Sequence, residues 1–182
     1  PGVEVSVVLN KGEVTQLHNI WSGTTVSATY PVQTLYIAGE TRIDNGRELR
    51  GYTSIPPSMW NNEYFNPVSG RTGGNGTDLY IYNPGAAQTI NWQDSSGSGS
   101  FTIAAGATLA YSDPAAANHK VPNDSAAILT AVNDFNVIGS ADTEGGSYEW
   151  GFNLVPSDLL ASEYYLGWAP GTSDASPSLN CS

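Results

Sequence analysis

Cysteine is nearly missing from this 182-residue chain: Cys181 stands alone near its end. No disulfide can form within the chain, and the one thiol either suits a bridge to another chain or is incidental. Charge is also scarce. Charged residues make up 13% of the sequence, about half the usual share. Six Lys and Arg stand against 17 Asp and Glu, and the formal charge of −11 repels nucleic acid and anionic membrane. No apolar run nears the roughly 18 residues of a spanning helix, so membrane insertion is not expected. No leader precedes Pro1, which implies either that one has been removed or that the sequence begins inside a longer chain.

Groups that carry chemistry are equally sparse. His18 and His119 are the only histidines, and both lie in turn-rich stretches, a weak basis for a Ser or Cys triad. Gly97-Ser98-Gly99 belongs to a Gly-Ser loop, away from any strand-to-helix elbow. Cys and His at zinc spacing are absent. Asp142, Glu144 and Glu149, or Asp113 and Asp124, leave calcium open, although no 12-residue calcium loop is present. The expectation is a non-enzymatic chain with no cofactor.

What the chain does contain is a repeat, and an internal period usually marks a structural unit. Residues 55–65, Ile-Pro-Pro-Ser-Met-Trp-Asn-Asn-Glu-Tyr-Phe, align without a gap on residues 155–165, Val-Pro-Ser-Asp-Leu-Leu-Ala-Ser-Glu-Tyr-Tyr. Pro56, Glu63 and Tyr64 recur as Pro156, Glu163 and Tyr164, a spacing of 100 residues. Glu63 and Glu163 are the only acids that recur in this way, which favours a structural role over a glycosidase carboxylate pair. Pro57-Ser58 and Ser157-Asp158 suit the first turn of a short helical segment.

Around the motif, short β-branched and aromatic runs alternate with Gly, Pro and Asn turns, and no helical period is sustained. Residues 3–9 and 13–17 read as a hairpin about Asn10-Lys11-Gly12. Residues 24–30 and 32–38 follow as strands parted by Pro31, and a hairpin turns at Asp44-Asn45-Gly46. In the second half, strands are expected at 78–82 and 87–92, with 95–100 as a polar loop. Residues 100–106 then match 6–12, while 126–132 and 135–138 match 24–30 and 32–38.

This pattern implies an all-β protein of two tandem β-sandwich modules, immunoglobulin-like or jelly-roll-like. The first module covers 1–70, a linker 71–77, the second module 78–170 and a polar tail 171–182. The first is expected to lack its leading strand, because nothing before it corresponds to 78–82. Either the sequence is a slice of a longer tandem repeat, or the first sandwich is short of a strand and exposes a groove and unpaired backbone, which a neighbouring copy would fill. The candidate assembly residues are Val3, Val5 and Val7 in the leading stretch, Leu79 and Ile81 in the strand without a counterpart, and Cys181.

Three Asn-x-Ser/Thr triplets, at Asn75, Asn123 and Asn180, fall in stretches that read as loops or linkers, where N-linked glycans attach. The five tryptophans read mainly as core or interface anchors.

Residues 9–13 (Leu-Asn-Lys-Gly-Glu), the stretch 23–39 with Ser-Ala-Thr-Tyr-Pro-Val, and 55–65 together resemble the amino-terminal domain family of IgG-Fc-binding proteins. Asn83-Pro84, residues 103–106 and residues 155–165 extend the resemblance into the second half. It implies non-enzymatic extracellular β-modules of matrix, mucus or adhesive proteins, and it assigns no binding residue. The expected function is an extracellular structural or adhesive glycoprotein that self-assembles into a filament or surface layer by strand complementation between copies. Its partners would be other copies of itself and surface or matrix glycans. The competing expectation is a carbohydrate-binding or accessory module of a larger secreted protein.

Overall fold

The structure is a computed structural model that describes residues 4–18, 20–38, 50–67, 76–141 and 150–165. Among these the fold is all-β. The strands are β1 (Leu35–Ala38), β2 (Arg50–Thr53), β3 (Asn61–Asn66), β4 (Thr77–Tyr82), β5 (Gln88–Asp94), β6 (Gly97–Ile103), β7 (Thr108–Ala110), β8 (Ala127–Ala141) and β9 (Trp150–Asn153). Two single-turn 3-10 segments, Pro57–Met59 and Ser157–Leu159, complete the elements, one in each copy of the motif.

β8 is the axis of the fold. Its amino-terminal half lies between β5 and β3, and its carboxyl-terminal half between β4 and β9. Every pairing is antiparallel, and β6 and β7 extend the two arms beyond β5 and β4. The arms curl over one another around a single core that holds Tyr64, Leu79, Ile81, Ile90, Phe101, Ile103, Tyr111, Leu129, Phe135 and Val137.

The sequence pattern divides β8 in two at Asn133-Asp134, whereas the strand runs through all 15 residues. The reason is parity. Ala127, Leu129, Phe135 and Val137 all point inward, so the side-chain period of two survives the polar pair, which stays exposed.

The Gly-Ser loop expected at 95–100 also departs from the pattern. Gly97 to Ser100 belong to β6, and Trp92 stands opposite Gly99. A Cβ on Gly99 would meet the indole at 3.0 Å. The glycine makes room for the ring, which covers backbone that a bare Gly-Ser strand would leave bare.

Buried polar groups lock the turns. Asn83 has no exposed surface; its Nδ2 donates to the carbonyls of Ala86 (2.9 Å), Ile103 (3.2 Å) and Ala104 (3.1 Å). Its Oδ1 accepts from Gly85 N (3.2 Å) and Gln88 Nε2 (3.1 Å). One side chain thereby ties the β4–β5 turn to the β6–β7 turn, with its hydrogen-bonding capacity met.

The first half of the chain is a different case. The expected strands at 3–9, 13–17 and 24–30 do not form: among the described residues from 4 to 34 there is no strand. The turns of the repeat are nevertheless present. Asn10 O accepts from Glu13 N at 3.0 Å and Gly12 sits at φ +87°, as Ala104 O accepts from Ala107 N at 3.3 Å and Gly106 sits at φ +66°. Local bonds can form within one stretch, but ladders need partners, and among the described residues no strand pairs with residues 4–34. Of the expected strand 32–38 only β1 forms, paired with β2. The hairpin about Asp44-Asn45-Gly46 and most of the linker 71–77 lie outside the described residues.

Gly76 precedes β4 at φ +82°, where an added Cβ would overlap the Val121 carbonyl. That carbonyl accepts from Thr77 N (3.0 Å) in the bridge that anchors β4. Gly76→Ala should therefore destabilise the fold by about 3 kcal/mol, combining the left-handed backbone with a clash. Gly106→Ala, which meets open space, should cost only about 1 kcal/mol. Urea unfolding midpoints of the two variants test the difference.

Candidate assembly interface

The two copies of the motif fold alike at first. Pro56 and Pro156 precede their 3-10 turns at φ −56°, ψ 142° and φ −54°, ψ 146°. Pro56 O accepts from Met59 N (2.9 Å), and Pro156 O from Leu159 N (3.0 Å). The hydroxyl of Tyr64 accepts from Asn61 N at 3.3 Å, and that of Tyr164 from Ala161 N at 2.8 Å. The recurring proline and tyrosine thus build one local structure twice.

Beyond that point the copies diverge. The first continues as β3, a segment that sequence places in the first module but that joins the sheet of the second half. Its register on β8 sets Glu63 opposite Thr130, Tyr64 opposite Leu129, Phe65 opposite Ile128 and Asn66 opposite Ala127, with a bulge between Asn61 and Glu63. Tyr64 is wholly buried, 5.0 Å from the Phe135 ring between centroids, and its hydroxyl donates to Phe135 O at 2.7 Å. Burial, reinforced by the charges of Asp134 and Asp158 and opposed by the Asn61 N–H, pushes its phenol up to about 12.

The second copy makes no ladder among the described residues. Tyr164 is 64% exposed and Tyr165 89%. Glu163 only accepts from the Tyr165 hydroxyl, at 2.8 Å. The turn at its start packs on β3, with a bridge between Tyr64 and Pro156. An apolar cleft of about 250 Å³ beside it is lined by Phe65, Pro67, Phe152, Leu154, Val155 and Leu160.

The first half holds the counterpart of β8. β1 and β2 pair Leu35 with Thr53 and Ala38 with Arg50, while β8 and β9 pair Ile138 with Asn153 and Ala141 with Trp150. The ladders correspond residue for residue, with β1 displaced by 103 residues from β8 (Leu35 to Ile138) and β2 by 100 from β9 (Thr53 to Asn153). β2 packs against β9; the Tyr52 ring lies on Gly151, and Asn153 Nδ2 donates to Thr53 O at 2.6 Å. The stretch before β1 exposes Val26, Tyr30 and Val32, and β1 exposes Leu35, all at more than half of their full surface.

Among the other candidate residues, Val5 and Val7 are exposed. Leu79 and Ile81 are fully buried in the core of their own half. Val3, Asn75, Asn180 and Cys181 lie outside the described residues, as do Asp142, Glu144 and Glu149. Asn123 is half-buried in the turn after Val121, where Asp124 takes φ 55°. Among the described residues no group of three or more His, Cys, Asp or Glu gathers in metal-holding geometry, and no helix is long and apolar enough to cross a membrane. Trp60 and Trp92 are packed, Trp60 donating from Nε1 to Ile55 O at 2.9 Å, whereas Trp21 is exposed.

One cluster escaped sequence reasoning. Asp94, its side chain fully buried, accepts from the Tyr111 hydroxyl at 2.7 Å and bonds His119 Nε2 at 2.8 Å. His119 Nδ1 lies 2.9 Å from Ala117 O, and the Trp92 ring stands edge-on to both aromatic partners. Both ring nitrogens are engaged, which leaves none for general-base work; the cluster ties the 111–119 loop to β5. Burial raises the Asp94 pKa, but hydrogen bonds from Tyr111, His119 and Ser96 N together with the His119 charge outweigh it, and the net shift is downward. Burial and the neighbouring carboxylate push the Tyr111 phenol far up. Three residues separated by 17 and 8 positions carry no motif, so only the fold reveals them.

No family model, curated protein or solved structure matches the chain.

Tyr64→Phe should cost about 1.5 kcal/mol, because it leaves the buried Phe135 carbonyl without its donor; chemical denaturation checks this. Asp94 contributes stability that is complete above the ordinary carboxylate pKa of about 3.9. That contribution is lost as pH falls through the depressed folded value. Asp94→Asn should lower the melting temperature at neutral pH and flatten its fall below pH 4, as melting curves across an acid series would show.

Proposed function

We propose that this protein is a non-enzymatic extracellular structural or adhesive protein, built of tandem β-sandwich units that join head to tail by strand addition. One observation carries the reading. The motif strand from the first half completes the sheet of the second, while its recurrence at 161–165 leaves both tyrosines exposed. A strand that closes the next unit is a linker and a lock together, and it propagates when donor and acceptor are different surfaces.

Three further features support it. The first half keeps the turns and the β1–β2 ladder of the repeat but exposes the apolar residues that its counterpart buries. Charged side chains, which block pairing at exposed edges, make up only 13% of the chain. The glycosylation triplets and the resemblance to IgG-Fc-binding amino-terminal domains agree with a secreted matrix or surface setting, with glycans as a second class of partner.

Sedimentation velocity over a wide concentration range tests the reading. The expected outcome is a series of species that grows with concentration and insensitivity to calcium chelation. A stable monomer at every concentration would rule the assembly out, and glycan binding by that monomer through exposed aromatics such as Trp21 would favour a carbohydrate-binding module.

A further inference from the structure

We infer that the segment 161–165 of one molecule pairs antiparallel with residues 24–32 of a second copy, in the register that β3 adopts on β8. The inference rests on the assembly reading above and names its donor, its acceptor and their alignment.

The contact within the molecule is the template. Donor positions 61–65 map onto 161–165 through the ungapped motif, and the conserved geometry of the 3-10 turn and of the tyrosine hydroxyl shows that the correspondence holds in three dimensions. Acceptor positions map through the β1–β2 and β8–β9 ladders, whose registers coincide. The paired ladders set the displacement at 103 residues, one more than the 102 of the sequence match between 24–30 and 126–132, and carrying it back along the strand places Val32 at the position of Phe135, Ser27 at Thr130, Val26 at Leu129 and Thr25 at Ile128.

The predicted partners follow directly. Tyr164 faces Val26, Tyr165 faces Thr25, Glu163 faces Ser27 and Ala161 faces Val32. The Tyr164 ring then lies over Val32 as Tyr64 lies over Phe135, and its hydroxyl, already accepting from Ala161 N, donates to Val32 O. The residue types are compatible with this. Thr24 and Val26 take the inward parity of Ala127 and Leu129, and Thr25 and Ser27 take the outward parity. No like charges oppose one another, since Glu163 meets a serine. The pairing would bury Val26, Val32 and Tyr164, which are 55%, 57% and 64% exposed. A one-residue slip would turn the tyrosine away from the apolar row, so the register is specified.

Cysteine cross-linking tests it. Thr25→Cys and Tyr165→Cys, each carried singly in a full-length Cys181→Ser chain, are mixed under mild oxidation. Glu163→Cys replaces Tyr165→Cys as the offset control on the same face. The matched mixture should yield at least about tenfold more disulfide-linked heterodimer than the offset one, because bridging demands Cα atoms within about 7 Å. Tyr164→Asp in the donor chain should abolish that yield. Equal yields from matched and offset pairs, in chains that still associate by sedimentation, would overturn this register and leave the assembly reading standing. Absence of association in the parent chain would overturn the assembly reading itself. A Thr25→Cys/Tyr165→Cys double variant that closes within single molecules would overturn the choice of a second copy as partner.

Discussion

A strand in the middle of a sheet must satisfy backbone donors and acceptors on both edges, and in this protein that demand falls on β8. Its two halves require four neighbours, and three of them, β4, β5 and β9, come from the same half of the chain. The fourth, β3, is delivered from the motif that ends the first half. Tyr64 secures it with a buried ring and a hydroxyl that both donates and accepts. Without β3, one edge of the amino-terminal half of β8 would be bare, and Phe135 would lose its aromatic partner.

Polar locks make up for the scarcity of charge. Asn83, Asp78 and Asp94 are the anchors: Asn83 joins two turns, Asp78 accepts from Ser112 N (3.1 Å) and Ser112 Oγ (2.6 Å), and Asp94 gathers Tyr111 and His119. Each joins segments far apart in sequence, so each favours one arrangement of turns over the alternatives. Hydrogen bonds to carboxylates are stronger than those between neutral groups, and at Asp78 and Asp94 they hold these loops.

The halves of the chain separate local from non-local causes of structure. Both form the glycine turns, the proline-led 3-10 turns and a short antiparallel ladder, all of which depend on nearby residues. Among the described residues only the second half has β3, β4 and β5 to pair with, and apart from β3 itself every strand longer than four residues lies there. Apolar residues that read alike in the two halves therefore end exposed in one and buried in the other.

The β class, the repeat, the turns at Pro56 and Pro156 and the strand at β4 are legible in the residues alone, because they follow from side-chain period, backbone restriction and glycine freedom within a few residues. The continuity of β8 through Asn133-Asp134, the pairing of Gly97 to Ser100 under the Trp92 ring, the passage of β3 into the second half and the Asp94–Tyr111–His119 cluster were decided by tertiary structure alone. Each depends on which distant backbone edge or side chain comes alongside, and local pattern does not encode that choice.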